Sequence, residues 1–385
     1  MTAQTYYLDH AAATPLDERV LKAMMPFFLV DFYNPSSPYA PAVKVRREYD
    51  AAKSRLASTF GGRGDEVVIT AGATESINLA FSGVNGHIVT SAIEHDAVLA
   101  AAKVHSHTLV APTDKGIVTA EAVALAITPE TELVSIQLAN NEIGTIQPIR
   151  DIATVVSVER QRRRDSGDDR PVYLHCDGSQ GFGQIDSNVA RLGVDMLTLN
   201  SGKMYGPKQV GLLWAKPGVR LKPQIVGGGQ ERGLRSGTEN VAGVIGFAEA
   251  AKIACDHRKS ESERLASLRN TLERRLSESI DGLLVTGHPK RRLPGSLHIS
   301  VLGLDGERLV FALEAKGVFV ATGSACAANK GTRSHVLTAL GLSDEAADGS
   351  LRITLGRLSD ESTIGAATAI IIDEIKRELD RVHGA

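Results

Sequence analysis

The chain has 385 residues, 43% hydrophobic and 23% charged, which suits a globular protein of two domains with a substantial core. Its 43 Lys and Arg stand against 45 Asp and Glu, leaving no global field to recruit nucleic acid or an anionic membrane. The opening residues carry neither the basic flank nor the apolar run of a signal peptide. Ala369-Ile370-Ile371-Ile372 is cut short by Asp373 and Glu374, far below the roughly 20 residues of a membrane span. A cytoplasmic location is therefore expected. The cysteines are Cys176, Cys255 and Cys326, with no C-x-x-C pair, which argues against both a disulfide framework and structural zinc. No metal site is expected, and if cysteine acts here it acts as a single thiol.

Along the chain, short runs rich in Val, Ile and Leu recur with helical spacing between them. Residues 67–70, 87–90, 133–138, 172–176, 196–199 and 211–215 read as buried strands. Such runs predict an α/β fold with a mostly parallel sheet covered on both faces. Ligands of such sheets bind beyond the carboxyl ends of the strands. The stretch 160–170, dense in both charge signs, is expected to be a solvated helix end and loop. After the glycine-rich Val226-Gly227-Gly228-Gly229, Ser260 and Glu263 have the spacing of a capping box, which would open a helix carrying Leu265, Leu268, Leu272 and Leu276. Two further strands are expected at 296–302 and 317–321, and a last helix over 360–383 capped by Ser359. The division that follows is a large domain over 15–249 and a smaller α/β domain made of 1–14 and 250–385.

Four places carry chemistry. Ala71-Gly72-Ala73-Thr74-Glu75-Ser76 follows a strand and opens a helix, either as a plain turn capped by Thr74 or as a cradle for a phosphate. Asp177 stands immediately after the strand 172–176; it either caps a helix or supplies the carboxylate that keeps a pyridinium cofactor protonated as an electron sink. Lys203 follows the neighbouring strand, where an amine would serve as nucleophile and base. Cys326 lies in a run of small and polar residues, 321–331, without helical or strand period, so its thiol is expected to be accessible. Cys176 and Cys255 are expected to be buried packing residues.

The ordered motifs complete the reading: Tyr7-Leu8-Asp9-His10-Ala11-Ala12-Ala13-Thr14-Pro15, Asn34-Pro35-Ser36-Ser37, Gly72-Ala73-Thr74-Glu75-Ser76, Glu94-His95, Asn140-Asn141-Glu142-Ile143-Gly144, Asp177-Gly178-Ser179-Gln180, residues 203–208 and 227–238, Gly323-Ser324-Ala325-Cys326, and Leu351-Arg352-Ile353-Thr354-Leu355-Gly356-Arg357. With these the chain resembles, nearly end to end, the cysteine desulfurases of nitrogen fixation and iron–sulfur cluster assembly. The resemblance implies a pyridoxal-phosphate-dependent aminotransferase-like fold (fold type I) and a homodimer with cofactor sites at the interface. It implies that Lys203 bonds the pyridoxal 5'-phosphate, that Asp177 pairs with its ring nitrogen, that His95 stacks on the ring and that Gln180 meets the ring oxygen. Ala73, Thr74 and Ser201 would hold the phosphate, with Thr238 reaching in from the partner subunit, and Asn141 and Arg352 would position the carboxylate of the substrate.

The implied reaction takes sulfur from L-cysteine. Lys203 would remove the α-proton, His95 would carry a proton, and Cys326 would receive the sulfur as a persulfide, leaving L-alanine. An acceptor protein in cluster assembly or tRNA thiolation would take the sulfur onward; no direct nucleic-acid or membrane partner is expected. Alternatives are a selenocysteine lyase, another enzyme of this fold, or an idle scaffold; an aminotransferase has no use for Cys326. Two departures stand out. The family usually has Ser three residues before the lysine and His directly before it, where this chain has Asn200 and Gly202; and it usually has Ile-His where this chain has Pro38-Tyr39.

Overall fold

The computed structural model describes residues 5–323 and 333–383. The strands among them, in chain order, are β1 (Tyr6–Tyr7), β2 (Val67–Thr70), β3 (His87–Ser91), β4 (His107–Val110), β5 (Thr131–Ser135), β6 (Tyr173–Asp177), β7 (Met196–Asn200), β8 (Gly211–Ala215), β9 (Leu284–Thr286), β10 (Ser296–Ser300), β11 (Val318–Phe319) and β12 (Ser350–Thr354). Five of the helices are labelled α1 (Ala73–Ser82), α2 (Asp96–Ala102), α3 (Ile149–Asp165), α4 (Val241–Ser279) and α5 (Glu361–His383).

The large sheet has seven strands in the order β2-β8-β7-β6-β5-β3-β4, and only β8 runs against its neighbours. Strands such as β2, β7 and β8 are mostly apolar because both their faces are buried. Val67 and Ile69 of β2 enter one core cluster while Val68 between them enters another on the opposite face. Leu197 and Leu199 against Met196, and Leu212 and Trp214 against Leu213, divide the same way.

The small sheet, β12-β10-β9, is antiparallel and alternates. Leu297, Ile299, Leu351 and Ile353 pack with Leu265, Leu272 and Leu276 of α4 and Ile371 of α5. Ser296, His298, Ser300, Ser350, Arg352 and Thr354, on the other face, are polar and yet buried. The amino-terminal segment joins this layer: β1 pairs in parallel with β11, and the His10 N–H donates to the Thr354 carbonyl at 3.3 Å. Among the described residues no helix is long and apolar enough to cross a membrane.

Four local expectations change. The Ser260–Glu263 spacing does not open a helix, because α4 runs unbroken from Val241 to Ser279 and the Ser260 hydroxyl bonds back to the His257 carbonyl at 3.1 Å. No Gly or Pro lies between Phe247 and Ser279 to stop it, and the same three-residue spacing also arises on any continuous helix surface. α4 therefore carries the chain across residue 250 without a break. α5 is capped by Asp360, whose carboxylate accepts from the Thr363 N–H at 2.7 Å, while Ser359 turns back to the Gly356 N–H. Arg163 is not solvated: it is 1% exposed and its guanidinium donates to the carbonyls of Thr131 (2.8 Å) and Pro171 (3.2 Å). The strand expected at 133–138 begins and ends earlier, at Thr131–Ser135.

Candidate active site

Asp177 is the last residue of β6, and in the parallel pairing with β7 it stands opposite Thr198. β7 ends at Asn200 and the chain turns at once through Ser201–Lys203. Because β8 returns antiparallel beside β7, the connecting loop stays at the carboxyl rim of the sheet and brings Lys203 beside Asp177. The Asn200 side-chain oxygen accepts from the Gly202 N–H at 3.1 Å, and the Lys203 ammonium donates to the carbonyls of Ala11 (2.8 Å) and Ala12 (2.6 Å). Antiparallel pairing of Thr70 with Gly211 sets the start of α1 on the same rim. A Cβ at Gly211 would lie 2.6 Å from the Gly72 carbonyl carbon, so only glycine allows this approach. The leading N–H groups of α1, from Ala73 and Thr74, have no carbonyl of their own helix to bond.

These elements enclose a cavity of about 250 Å3. Its walls include Ala73, Thr74, His95, Asn141, Asp177, Gln180, Lys203 and Arg352, residues drawn from beyond the ends of five strands and from the small sheet. The His95 Nδ1 accepts from the Ala97 N–H at 3.1 Å, so the neutral ring carries its proton on Nε2. Gln180 donates to the Ala11 carbonyl at 3.1 Å. The Arg352 guanidinium, 2% exposed, is held by Asp9 at 2.7 Å and reaches the Asn141 carbonyl at 3.4 Å.

Two expected residues stand apart from the cavity. Ser201 does not line it; its buried hydroxyl lies against Gly206, where a Cβ would come within 2.1 Å of the oxygen. Successive residues of this tight turn point in different directions, so Asn200 lines the cavity and Ser201 packs behind it. Thr238 is exposed and lines neither this cavity nor the adjoining one. Cys326 lies outside the described residues. The described positions on either side of it, Gly323 and Ser334, meet at Glu142: the Ser334 hydroxyl donates to the Glu142 carboxyl at 2.5 Å, and a Cβ at Gly323 would lie 3.3 Å from the same oxygen. Of the other cysteines, Cys176 is fully buried and burial pushes its thiol well up, whereas Cys255 is only half-buried and touches the Thr59 carbonyl at 3.7 Å.

Residue spacing passed over three contributors. Gln137 and Ser179 line the cavity, and the Ser179 hydroxyl is buried with no partner. Glu94, directly before His95, is wholly buried and accepts from the Ser91 hydroxyl (2.7 Å) and the Gln137 N–H (3.0 Å). Burial pushes its carboxyl up to about 8, against those hydrogen bonds and aided by the charge of Asp177. Burial thus favours the protonated form of Glu94 at neutral pH.

The site fits pyridoxal phosphate on its own chemistry: a carboxylate and an amine on adjacent strand ends, a helix start for an anion, and in the wall a serine hydroxyl with no hydrogen-bond partner among the described residues. The profile of the family described as aminotransferase class-V matches residues 6–366. The chain belongs to the class-V aminotransferases. Among members of this family, it is similar to the cysteine desulfurase IscS 1 of Archaeoglobus fulgidus, 39% identical over 96% of this chain and 97% of that protein. The structure of a NifS-like protein superposes with a TM-score of 0.88 at 31% identity, covering 97% of this chain and all of the other. That of SspA in complex with cysteine superposes at 0.79 with 33% identity, covering 91% and 99%.

Proposed function

We propose that this class-V aminotransferase is a cysteine desulfurase, in which pyridoxal phosphate is bonded through Lys203 and Cys326 receives the sulfur. The observation that supports it best is the convergence of Asp177, Lys203 and Arg352 on one cavity, with the segment bearing Cys326 flanked by residues anchored at Glu142 beside Asn141. Asp177 would pair with the ring nitrogen, Gln180 with the ring oxygen, His95 would lie on the ring, and the N–H groups of Ala73 and Thr74 would face the phosphate. When bound, the cofactor supplies an electron sink for the α-carbon of the substrate.

The residues of the chain do the rest. The fork of Arg352 and the amide of Asn141 hold the carboxylate of L-cysteine, and Asp9 fixes the angle of that fork. The Lys203 amine takes the α-proton. The thiolate of Cys326 attacks the substrate sulfur; the new S–S bond forms as the Cβ–S bond breaks, and the electron pair stays with the substrate carbon. Proton return to that carbon, through the Nε2–H of His95, and to the α-carbon completes L-alanine. A second protomer, bringing Thr238 to its neighbour's phosphate, and an acceptor protein for the persulfide complete the assembly, which operates in the cytoplasm.

The test is brief exposure of the purified protein to L-cysteine. Alanine should form and intact-mass analysis should place one added sulfur on Cys326, with Cys176 and Cys255 unmodified. Cys326→Ser should keep the cofactor absorbance but form no alanine, and Lys203→Ala should lose both. Sulfur on another cysteine, or alanine from Cys326→Ser at the normal rate, would overturn the assignment.

A further inference from the structure

The phosphate end of the site is where this chain leaves its family's pattern. Asn200 stands for the usual Ser and Gly202 for the usual His. A second cavity, about 600 Å3 and open to solvent, adjoins the first here, and the two share Ala73, Thr74, Asn200 and Lys203 as walls. Gly202 and Lys208 line the second cavity as well.

Neither backbone nor packing demands the glycine. Gly202 has no left-handed φ, and a Cβ on it would meet Asn200 Oδ1 at 3.5 Å and Lys208 Cγ at 3.6 Å, which is ordinary contact. The side-chain space beside Gly202 is thus bordered by the aliphatic stem of Lys208. Its ammonium donates a long hydrogen bond, 3.4 Å, to the Thr14 carbonyl, and among the described residues it forms no ion pair. The carboxylate on the same wall, Glu75, is already engaged by Arg235 at 3.0 Å and by the Ala71 N–H at 2.8 Å. The Asn200 oxygen is committed to the Gly202 N–H, which leaves its NH2 group to face the shared space.

We infer that Lys208 supplies the positive charge that meets the cofactor phosphate, in place of the missing imidazole, and that the Asn200 amide replaces the missing hydroxyl. This rests on the pyridoxal-phosphate reading above. An imidazole with a pKa of about 6.5 loses its charge on going from acid to mildly alkaline solution, whereas an ammonium near 10.4 keeps it. With Gly202 in the place of the histidine and Lys208 carrying the charge, the phosphate contact is therefore kept at alkaline pH.

The experiment measures release of pyridoxal phosphate from the purified holoenzyme, by loss of its visible absorbance on dilution, at about pH 6 and about pH 9. Lys208→Gln should weaken retention about 10- to 100-fold at both, the range for a lost charge-assisted hydrogen bond. Gly202→His added to that variant should restore retention at the lower pH and not at the higher. Binding of pyridoxal, which lacks the phosphate, to the stripped enzyme should be the same with and without Lys208, and circular dichroism should show the fold intact. Retention unchanged in Lys208→Gln, or an equal loss for pyridoxal, would overturn the inference. A wild-type protein that takes up no pyridoxal phosphate would instead overturn the proposed function.

Discussion

Replacing Glu94 by Gln will flatten the pH dependence of folding stability. The Glu94 carboxyl is wholly buried under the cavity floor, and burial, opposed by hydrogen bonds from Ser91 and Gln137 and aided by the charge of Asp177, raises it from 4.5 to about 8. Between those values the folded protein keeps a proton that the unfolded chain gives up. Stability is therefore highest below the unfolded value, falls as pH rises through this window, and levels off above it. Each pH unit is worth about 1.4 kcal/mol, so this one group removes about 4–5 kcal/mol across the window. Glutamine keeps an oxygen for the Gln137 N–H and has nothing to ionise. Urea unfolding of wild type and Glu94→Gln at about pH 5 and about pH 9 should show the variant gaining several kcal/mol on wild type at the higher pH. A difference between the two proteins that stays constant across that range would refute the reasoning, because it would mean Glu94 ionises alike in both states.

Two predictions concern the chemistry. Asp177→Asn keeps shape but loses the charge that the proposed function sets against the ring nitrogen, so the cofactor should remain bound while alanine formation falls by orders of magnitude; normal turnover at full occupancy would reduce Asp177 to the turn it makes with the Ser179 N–H, 3.0 Å away. Arg352→Lys replaces a fork by a point charge and should raise KM for cysteine about tenfold or more, with a smaller change in kcat; an unchanged KM would mean that the substrate carboxylate is held elsewhere.

Most of the large sheet was legible because strands such as β2, β7 and β8 are buried on both faces, which writes a mostly apolar run into the chain. The small sheet was harder: β12 alternates Ser, Arg and Thr with Leu and Ile, because one of its faces packs in the core while the other is polar and carries Arg352 to the cavity. β4, at the edge, has the exposed Leu109 and was not anticipated at all. In the site, Asp177, Lys203, Ala73 and Thr74 were found because each follows a strand, whereas nothing in the spacing around Glu94 marks its carboxyl as buried.

By itself, then, the sequence determined the apolar strands, the residues at their carboxyl ends and the motif order that marks the family, all of which depend on neighbours a few positions apart. Only the tertiary structure decided the reversal of β8, the turning of Asn200 rather than Ser201 toward the cavity, the burial of Arg163 and the pairing of Asp9 with Arg352. Those depend on which side of a turn faces empty space and on partners as much as 343 positions away along the chain, and no local pattern of residues encodes either.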